Sequence, residues 1–240
     1  MAIFEHNFNF SIRDINKNVE LSNKAILSFF EDIGGYHSDI AGYGLKDIEE
    51  TKISWVLLHW KLKILKKIKY GDSINIKTWS RGAMRACCYR DYELYNEKGE
   101  LCAIATSKWT LIHLEKGLMR ITDDLINKYQ TENKCVFDDF SFEKIKEPEN
   151  YSSVFEYTVQ RRDIDINNHM HNLCYLDLAY ETLPEEVYEN YSFDNVEIMY
   201  KSGALLGETV ICYYSYYDDN HYVTIKSKND NTLHAIIKLS

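Results

Sequence analysis

Residues 8–33 read FNFSIRDINKNVELSNKAILSFFEDI, and residues 155–181 read FEYTVQRRDIDINNHMHNLCYLDLAYE. Each begins as a short alternating strand, passes through a polar turn rich in Asp and Asn, and continues as a helical pattern. In the first stretch Leu21, Ala25, Ile26, Phe29 and Phe30 recur at three- and four-residue spacing; in the second, Leu173, Leu176, Ala179 and Tyr180 do the same. Two more pieces match in the same order. Residues 70–74, YGDSI, pair with residues 206–210, LGETV, where a glycine followed by an acid suits a tight connection between strands. Residues 97–103, EKGELCA, pair with residues 229–235, NDNTLHA, each a polar turn between two strands. The period is far longer than that of a solenoid repeat, so the pattern is a domain duplication.

Each half therefore reads as strand, helix, then several antiparallel strands. The expected helices lie near 21–33 and 170–182. The expected later strands are 52–66, 73–80, 86–96 and 101–114 in the first half, and 194–201, 208–217, 220–228 and 232–239 in the second. One helix among long strands predicts an α+β fold in which an antiparallel curled sheet wraps one long helix, twice over. The domains predicted are 1–130 and 151–240. The polar connector 131–150 contains Pro148 and should run over the surface, pinned by Val136 and Phe137.

The chain has 240 residues, enough to bury two cores, and only 2 prolines and 10 glycines, which argues against long linkers. Its net charge of −9 disfavours general nucleic-acid binding. The acidity is uneven: residues 1–150 sum to −1 and residues 151–240 to −8, so an anionic partner should approach the first half. No secretory signal and no stretch of membrane-spanning length is readable, and the six cysteines form no CxxC pair. Reduced thiols in a cytoplasmic protein are the expectation. Adjacent Cys87 and Cys88 should point to opposite sheet faces as inert thiols.

The second polar turn, residues 161–172, carries the chemistry. Asp and Asn before a helix ordinarily cap it, which accounts for one or two of these side chains but not all. Asp165, Asn167 and His169 alternate, so an extended turn would aim a carboxylate, an amide and an imidazole one way. A histidine at the positive end of a helix is held neutral and suits a base. The N–H groups near Asn168 and His169 are then candidates to receive a developing oxyanion. That set fits water attack on a polarised carbonyl. No Gly-x-Ser-x-Gly, phosphate loop or His-Glu-x-x-His competes.

With these residues in place, the sequence resembles the acyl-acyl carrier protein thioesterases, the fatty-acid chain-terminating family of plants and bacteria. The Asp-x-Asn-x-His turn is Asp165, Asn167 and His169, followed by Asn172 and Tyr175 and by Glu181 and Pro184. The first half adds Trp-Val-Leu at 55–57, Gly-Asp at 71–72, Thr-Trp at 78–79, Arg90-Asp91-Tyr92, and Ser107 with Trp109. The resemblance implies a tandem double hotdog and hydrolysis of a fatty acyl thioester on acyl carrier protein, without metal or other cofactor. In that reading Asp165 or His169 activates water and Asn167 orients the water or the base. The resemblance also implies an acyl pocket in the first half, with Ile26, Phe29, Phe30, Trp55, Leu57 and Trp79 as candidates. Where the family places an acid on the strand after the helix, this chain has Gly203 and Ala204. An acyl-coenzyme A thioesterase and a non-catalytic acyl-binding protein are the alternatives. The tandem copy supplies its own pairing partner, so a monomer or a homodimer is expected.

Acyl carrier proteins are acidic, so docking on this acidic chain needs a local basic patch. The densest is residues 59–69, with five lysines and no acid. Lys61, Lys63, Lys66 and Lys67 are the candidates, set against the ordinary reading of a lysine-protected sheet edge.

Overall fold

The first polar turn leads into a helix because Ser22 caps it: its backbone is extended, and its Oγ accepts the Ala25 N–H at 3.1 Å. A computed structural model of the chain describes residues 2–137, 142 and 144–240, and its contacts divide it into two units, Met1–Ser141 and Phe142–Ser240. The first contains β1 (Ile3–Asn9), α1 (Asn23–Ala41), α2 (Ile48–Thr51), β2 (Ile53–Ile64), β3 (Ser73–Met84), β4 (Cys87–Asn96), β5 (Leu101–His113), β6 (Gly117–Leu118) and α3 (Asp123–Tyr129). The second contains β7 (Ser153–Thr158), α4 (Cys174–Thr182), α5 (Glu185–Asn190), β8 (Asn195–Tyr200), β9 (Thr209–Tyr217), β10 (Asn220–Ser227) and β11 (Leu233–Leu239).

Within the first unit the strand order is β1-β3-β4-β5-β2, with β6 added to β5; within the second it is β7-β9-β10-β11-β8. Every pairing is antiparallel. The two orders are the same order, β1 matching β7 and each later strand its counterpart. The duplication read in the sequence is thus a duplication of topology.

The helices depart from expectation in opposite ways. Helix α1 runs to Ala41, eight residues past the expected end near 33. Gly34 is there for contact: a Cβ on it would stand 3.3 Å from Tyr92 Oη and 3.5 Å from Arg90 Cδ. Close packing outweighs the roughly 1 kcal/mol that a helical glycine costs. The helix ends at Gly42, whose φ of 79° and N–H bond to Asp39 are the left-handed cap. Helix α4, by contrast, begins at Cys174 and not near 170, and at nine residues it is not the long helix expected of the second half.

Helix α1 buries Ile26, Leu27, Phe30, Ile33 and His37 against the sheet. Phe30 stacks on Tyr92 at 4.8 Å, and Trp60 lies 5.2 Å from the same ring. Fully burying such side chains is worth about 1.5–3 kcal/mol each. A bulge in β2 between Leu57 and His59 shifts the alternation, so that Trp60, Leu62 and Ile64 are the buried positions beyond it. The triplet Arg90-Asp91-Tyr92 divides between faces. Arg90 reaches His37 Nδ1 of α1 at 2.9 Å, while Asp91 accepts the Val136 N–H and pairs with Arg81. Val136 thereby fastens the start of the connector, and Lys61 lies over the Phe137 ring at 4.7 Å. Most of the rest of its first half, residues 138–141, lies outside the described residues, as does residue 143.

Candidate active site

The turn after β7 is closed by its own backbone. Ile164 and Met170 form an antiparallel bridge. Asp165 donates its N–H to His169 O at 2.9 Å, and Asn168 donates to Asp165 O at 3.1 Å. Asp165 Oδ1 accepts the N–H groups of Asn167 (2.8 Å) and His169 (3.3 Å). Asn168 sits at φ 61°, in the left-handed region that asparagine tolerates. Asp163 anchors the entry, its Oδ2 accepting Gln160 N–H and Tyr157 Oη–H, both at 2.7 Å.

This geometry corrects two expectations. The turn is a tight loop and not an extended segment, so alternation is not what gathers Asp165, Asn167 and His169. The carboxylate of Asp165 gathers them by wrapping the chain around one of its oxygens. The proposed oxyanion donors are also consumed. The Asn168 N–H belongs to Asp165 O, the His169 N–H to Asp165 Oδ1, and the Met170 N–H to Ala204 O at 2.8 Å. Neither Asn168 nor His169 stands at a helix start, because His171 N–H is spent on Asp163 O and the helix begins only at Cys174. Asp165 and Asn167 are half-buried and His169 is exposed. Among the described residues no donor reaches Asp165 Oδ2, which leaves that oxygen available to a ligand.

The His169 ring rests on Gly203. A Cβ at position 203 would lie 2.5 Å from His169 Cδ2 and 2.7 Å from Cγ. The glycine read as a departure from the family pattern is therefore a fitted surface, and the imidazole fills the space a side chain there would need. The loop carrying it is gripped at each residue. His234 Nδ1 donates to Ser202 O at 3.0 Å. Ala204 N–H bonds Tyr175 Oη at 2.9 Å, and Leu205 N–H bonds Glu208 Oε2 at 2.9 Å. Glu208 Oε1 in turn meets His234 Nε2 at 2.9 Å. Partial burial raises the Glu208 pKa, but the bonds from Leu205, Ser227 and His234 outweigh it, so the carboxyl is held below its ordinary value.

The first unit repeats this turn bond for bond without its chemistry. Ile15 bridges Leu21 as Ile164 bridges Met170. Asn16 Oδ1 accepts from Asn18 (2.9 Å) and Glu20 (3.1 Å), and Val19 takes the left-handed place at φ 61°. Leu21 N–H goes to Ile68 O as Met170 N–H goes to Ala204 O. Asn16, Glu20 and Lys67 thus stand where the second unit has Asp165, His169 and Gly203.

The remaining candidates separate. Ile26, Phe30 and Leu57 are buried, and Phe29 packs on Phe8 at 5.1 Å. Trp55 belongs to a distinct cluster with Leu111, Leu125 and Tyr129, its indole N–H on Tyr129 Oη at 3.1 Å. Trp79 does not share the helix-facing surface. Its neighbour Thr78 meets Arg90 on the α1 side, while the Trp79 indole donates to Lys134 O at 2.8 Å and lies under the Lys134 ammonium. The lysine patch is less bare than its sequence: Lys66 pairs with Glu100 at 2.6 Å, while Lys63 is exposed. Cys88 is a buried thiol whose pKa desolvation pushes up to about 12, which suits an inert role.

Sequence reasoning missed His234 and the second role of Glu208. The polar His234 in the inward-facing strand stretch LHAII was the available signal.

Residues 1–129 match the family model of the acyl-ACP thioesterase N-terminal domain, and residues 146–238 match that of the C-terminal domain. Oleoyl-acyl carrier protein thioesterase 1 of Arabidopsis thaliana, a chloroplastic protein, is 23% identical over 78% of this chain and 57% of its own length. Palmitoyl-acyl carrier protein thioesterase of Cuphea hookeriana is 21% identical over 83% of this chain and 51% of its own. The chain thus spans little more than half the length of the curated relatives it matches. The structure of an acyl-ACP thioesterase from Bacteroides thetaiotaomicron superposes with a TM-score of 0.86 at 20% identity, covering 99% of this chain and 97% of that one. The 12:0-ACP thioesterase from Umbellularia californica does so with 0.88 at 15%, covering 100% and 97%. These superpositions establish the fold, a double hotdog. With both family domains matched in order along one chain, the protein belongs to the acyl-ACP thioesterase family.

Proposed function

We infer that the protein hydrolyses acyl thioesters carried on acyl carrier protein, releasing a free fatty acid and the carrier thiol. Water attacks the thioester carbonyl while its proton passes to Asp165 or His169. The carbon–sulfur bond then breaks, and the departing thiolate takes the proton back from that base. Asn167 orients the water or the base. The observation that carries this reading is the contrast between the two turns. They share the same backbone bonds, but only the second holds a carboxylate with one open oxygen beside an imidazole. A buried acyl chain would lie in the first unit near Ile26, Phe29, Phe30 and Leu57, and the carrier would dock on Lys61, Lys63 and Lys67. The six cysteines are all free thiols, which supports a reducing, cytoplasmic setting. No helix among the described residues is long and apolar enough to cross a membrane.

The test is turnover of acyl-ACP and acyl-coenzyme A by the full chain and by Asp165→Asn and His169→Ala. Loss of about 10²–10⁴-fold in both variants supports the reading. Native rates in both would overturn it. Equal efficiency on both carriers would move the substrate assignment to the coenzyme A ester.

A further inference from the structure

His234 is 2% exposed, yet both its ring nitrogens face acceptors of the loop that follows β8. Ser202 O is a carbonyl, so Nδ1 must donate to it. Glu208 Oε1 lies 2.9 Å from Nε2, so both ring nitrogens are engaged by groups that hold the loop. The pair spans the loop from both ends: buried His234 takes Ser202, half-buried Glu208 takes Leu205, and between them lie Gly203 and Ala204. Gly203 is the surface under the His169 ring, and Ala204 O receives the Met170 N–H next to it in sequence.

The first unit again provides a comparison. Its loop is built on the same main-chain plan: Cys102 O accepts Leu65 and Lys66 N–H as His234 O accepts Lys201 and Ser202 N–H. Asp72 Oδ2 meets Lys69 N–H at 3.3 Å, as Glu208 Oε2 meets Leu205 N–H. Cys102 Sγ instead donates to Glu100 O and adds no bond to its loop. A histidine bonded through both ring nitrogens is thus present in the copy that has His169 and absent from the copy that has Glu20. Loop closure alone does not need it.

We propose that His234 and Glu208 are positioning residues for the reaction, holding residues 202–205 so that Gly203 fixes the His169 ring. The proposal rests on the reading of Asp165 and His169 as the reaction centre. Neither residue touches the substrate. They act through the loop, so their loss should lower kcat and leave KM nearly unchanged.

The experiment is steady-state kinetics on acyl-ACP with the full chain, its His169→Ala control, and the variants His234→Cys, Glu208→Ala and Glu208→Gln. His234→Cys introduces the first unit's own residue. Glu208→Gln keeps an oxygen for Leu205 N–H and an amide within reach of the His234 ring. The expected result is a kcat lowered about tenfold or more in His234→Cys and Glu208→Ala, a KM within about twofold, and most of the rate restored in Glu208→Gln. Native kcat in His234→Cys and Glu208→Ala, with His169→Ala inactive, would overturn the positioning role alone. Native kcat in His169→Ala would overturn the reaction centre itself. Should His234→Cys fail to fold, the Glu208 pair still decides. Equal losses of kcat, KM and melting temperature in Glu208→Ala and Glu208→Gln would make the residue merely structural and end the proposal.

Discussion

The imidazole of His169 occupies the space that a side chain on Gly203 would require, with the built Cβ only 2.5 Å from Cδ2. The contact runs through carbon, so it sets where the ring lies without using either nitrogen. Both nitrogens remain for chemistry. Gly203→Ala should therefore displace the ring while keeping the fold. A misplacement of about 1 Å can cost on the order of 10²-fold in rate, and a loss of that order in kcat is expected, with a melting temperature close to wild type. Gly203→Glu, which adds a carboxylate where the family pattern has one, should lose at least as much. A faster Gly203→Glu enzyme would show that the ring can make way for the acid.

The two oxygens of Asp165 can be tested apart, since Oδ1 holds the turn and Oδ2 is open. Asp165→Asn keeps an acceptor for Asn167 and His169 N–H, as Asn16 does in the first turn, and should melt with the wild type. Asp165→Ala removes both bonds and should lose about 1–3 kcal/mol as well. Both should lose turnover by about 10²–10⁴-fold. Thermal melts beside the assays separate the two effects.

Salt and charge should act selectively on carrier docking. Lys66 is already engaged by Glu100, so its ammonium is less available to pair with the carrier than that of exposed Lys63. Lys63→Ala should raise KM for acyl-ACP more than Lys66→Ala does, and added salt should shrink the difference. Acyl-pantetheine, which lacks the acidic carrier, should show no such ranking. Identical KM values for acyl-ACP in both variants would detach docking from this strand.

Acid sensitivity should be traceable to His221. Its ring is enclosed by Tyr191, Phe193 and Tyr216 at 4.9–5.2 Å and bonded to Tyr214 Oη, and burial lowers its pKa from the ordinary 6.5. Above about pH 6.5 the ring is neutral whether folded or unfolded. Below it the unfolded chain takes up a proton that the folded chain resists, so stability falls as pH falls. Melting temperatures from pH 7 to 5.5 should decline less in His221→Phe than in wild type.

The strands were legible because glycine-acid turns and alternating residues recur in two copies. The second helix start was not. The run DIDINNHMHN has the composition of a cap, but its N–H groups close a loop through Asp163, Asp165 and Ala204 before any helix begins. Nor was the last part of α1, where Gly34 is held in the helix by its close packing against Tyr92 and Arg90, a contact no apolar repeat reports. The resemblance puts Trp79 in one pocket with Phe30, and nothing in the strand's residue types says which face the helix covers. The bond between His234 and Glu208 joins positions 26 apart across a loop, and no periodicity reports that.

The twin turns also give the molecule an internal thermodynamic reference. A substitution at Asn16 measures what the clasp is worth when a carboxamide makes it. The matched change at Asp165 measures the same clasp made by a carboxylate. Subtracting one from the other within a single polypeptide, under one buffer and one denaturation baseline, isolates what the charged group adds to the turn. Most enzymes need an engineered scaffold for that subtraction, and here gene duplication has already built the blank.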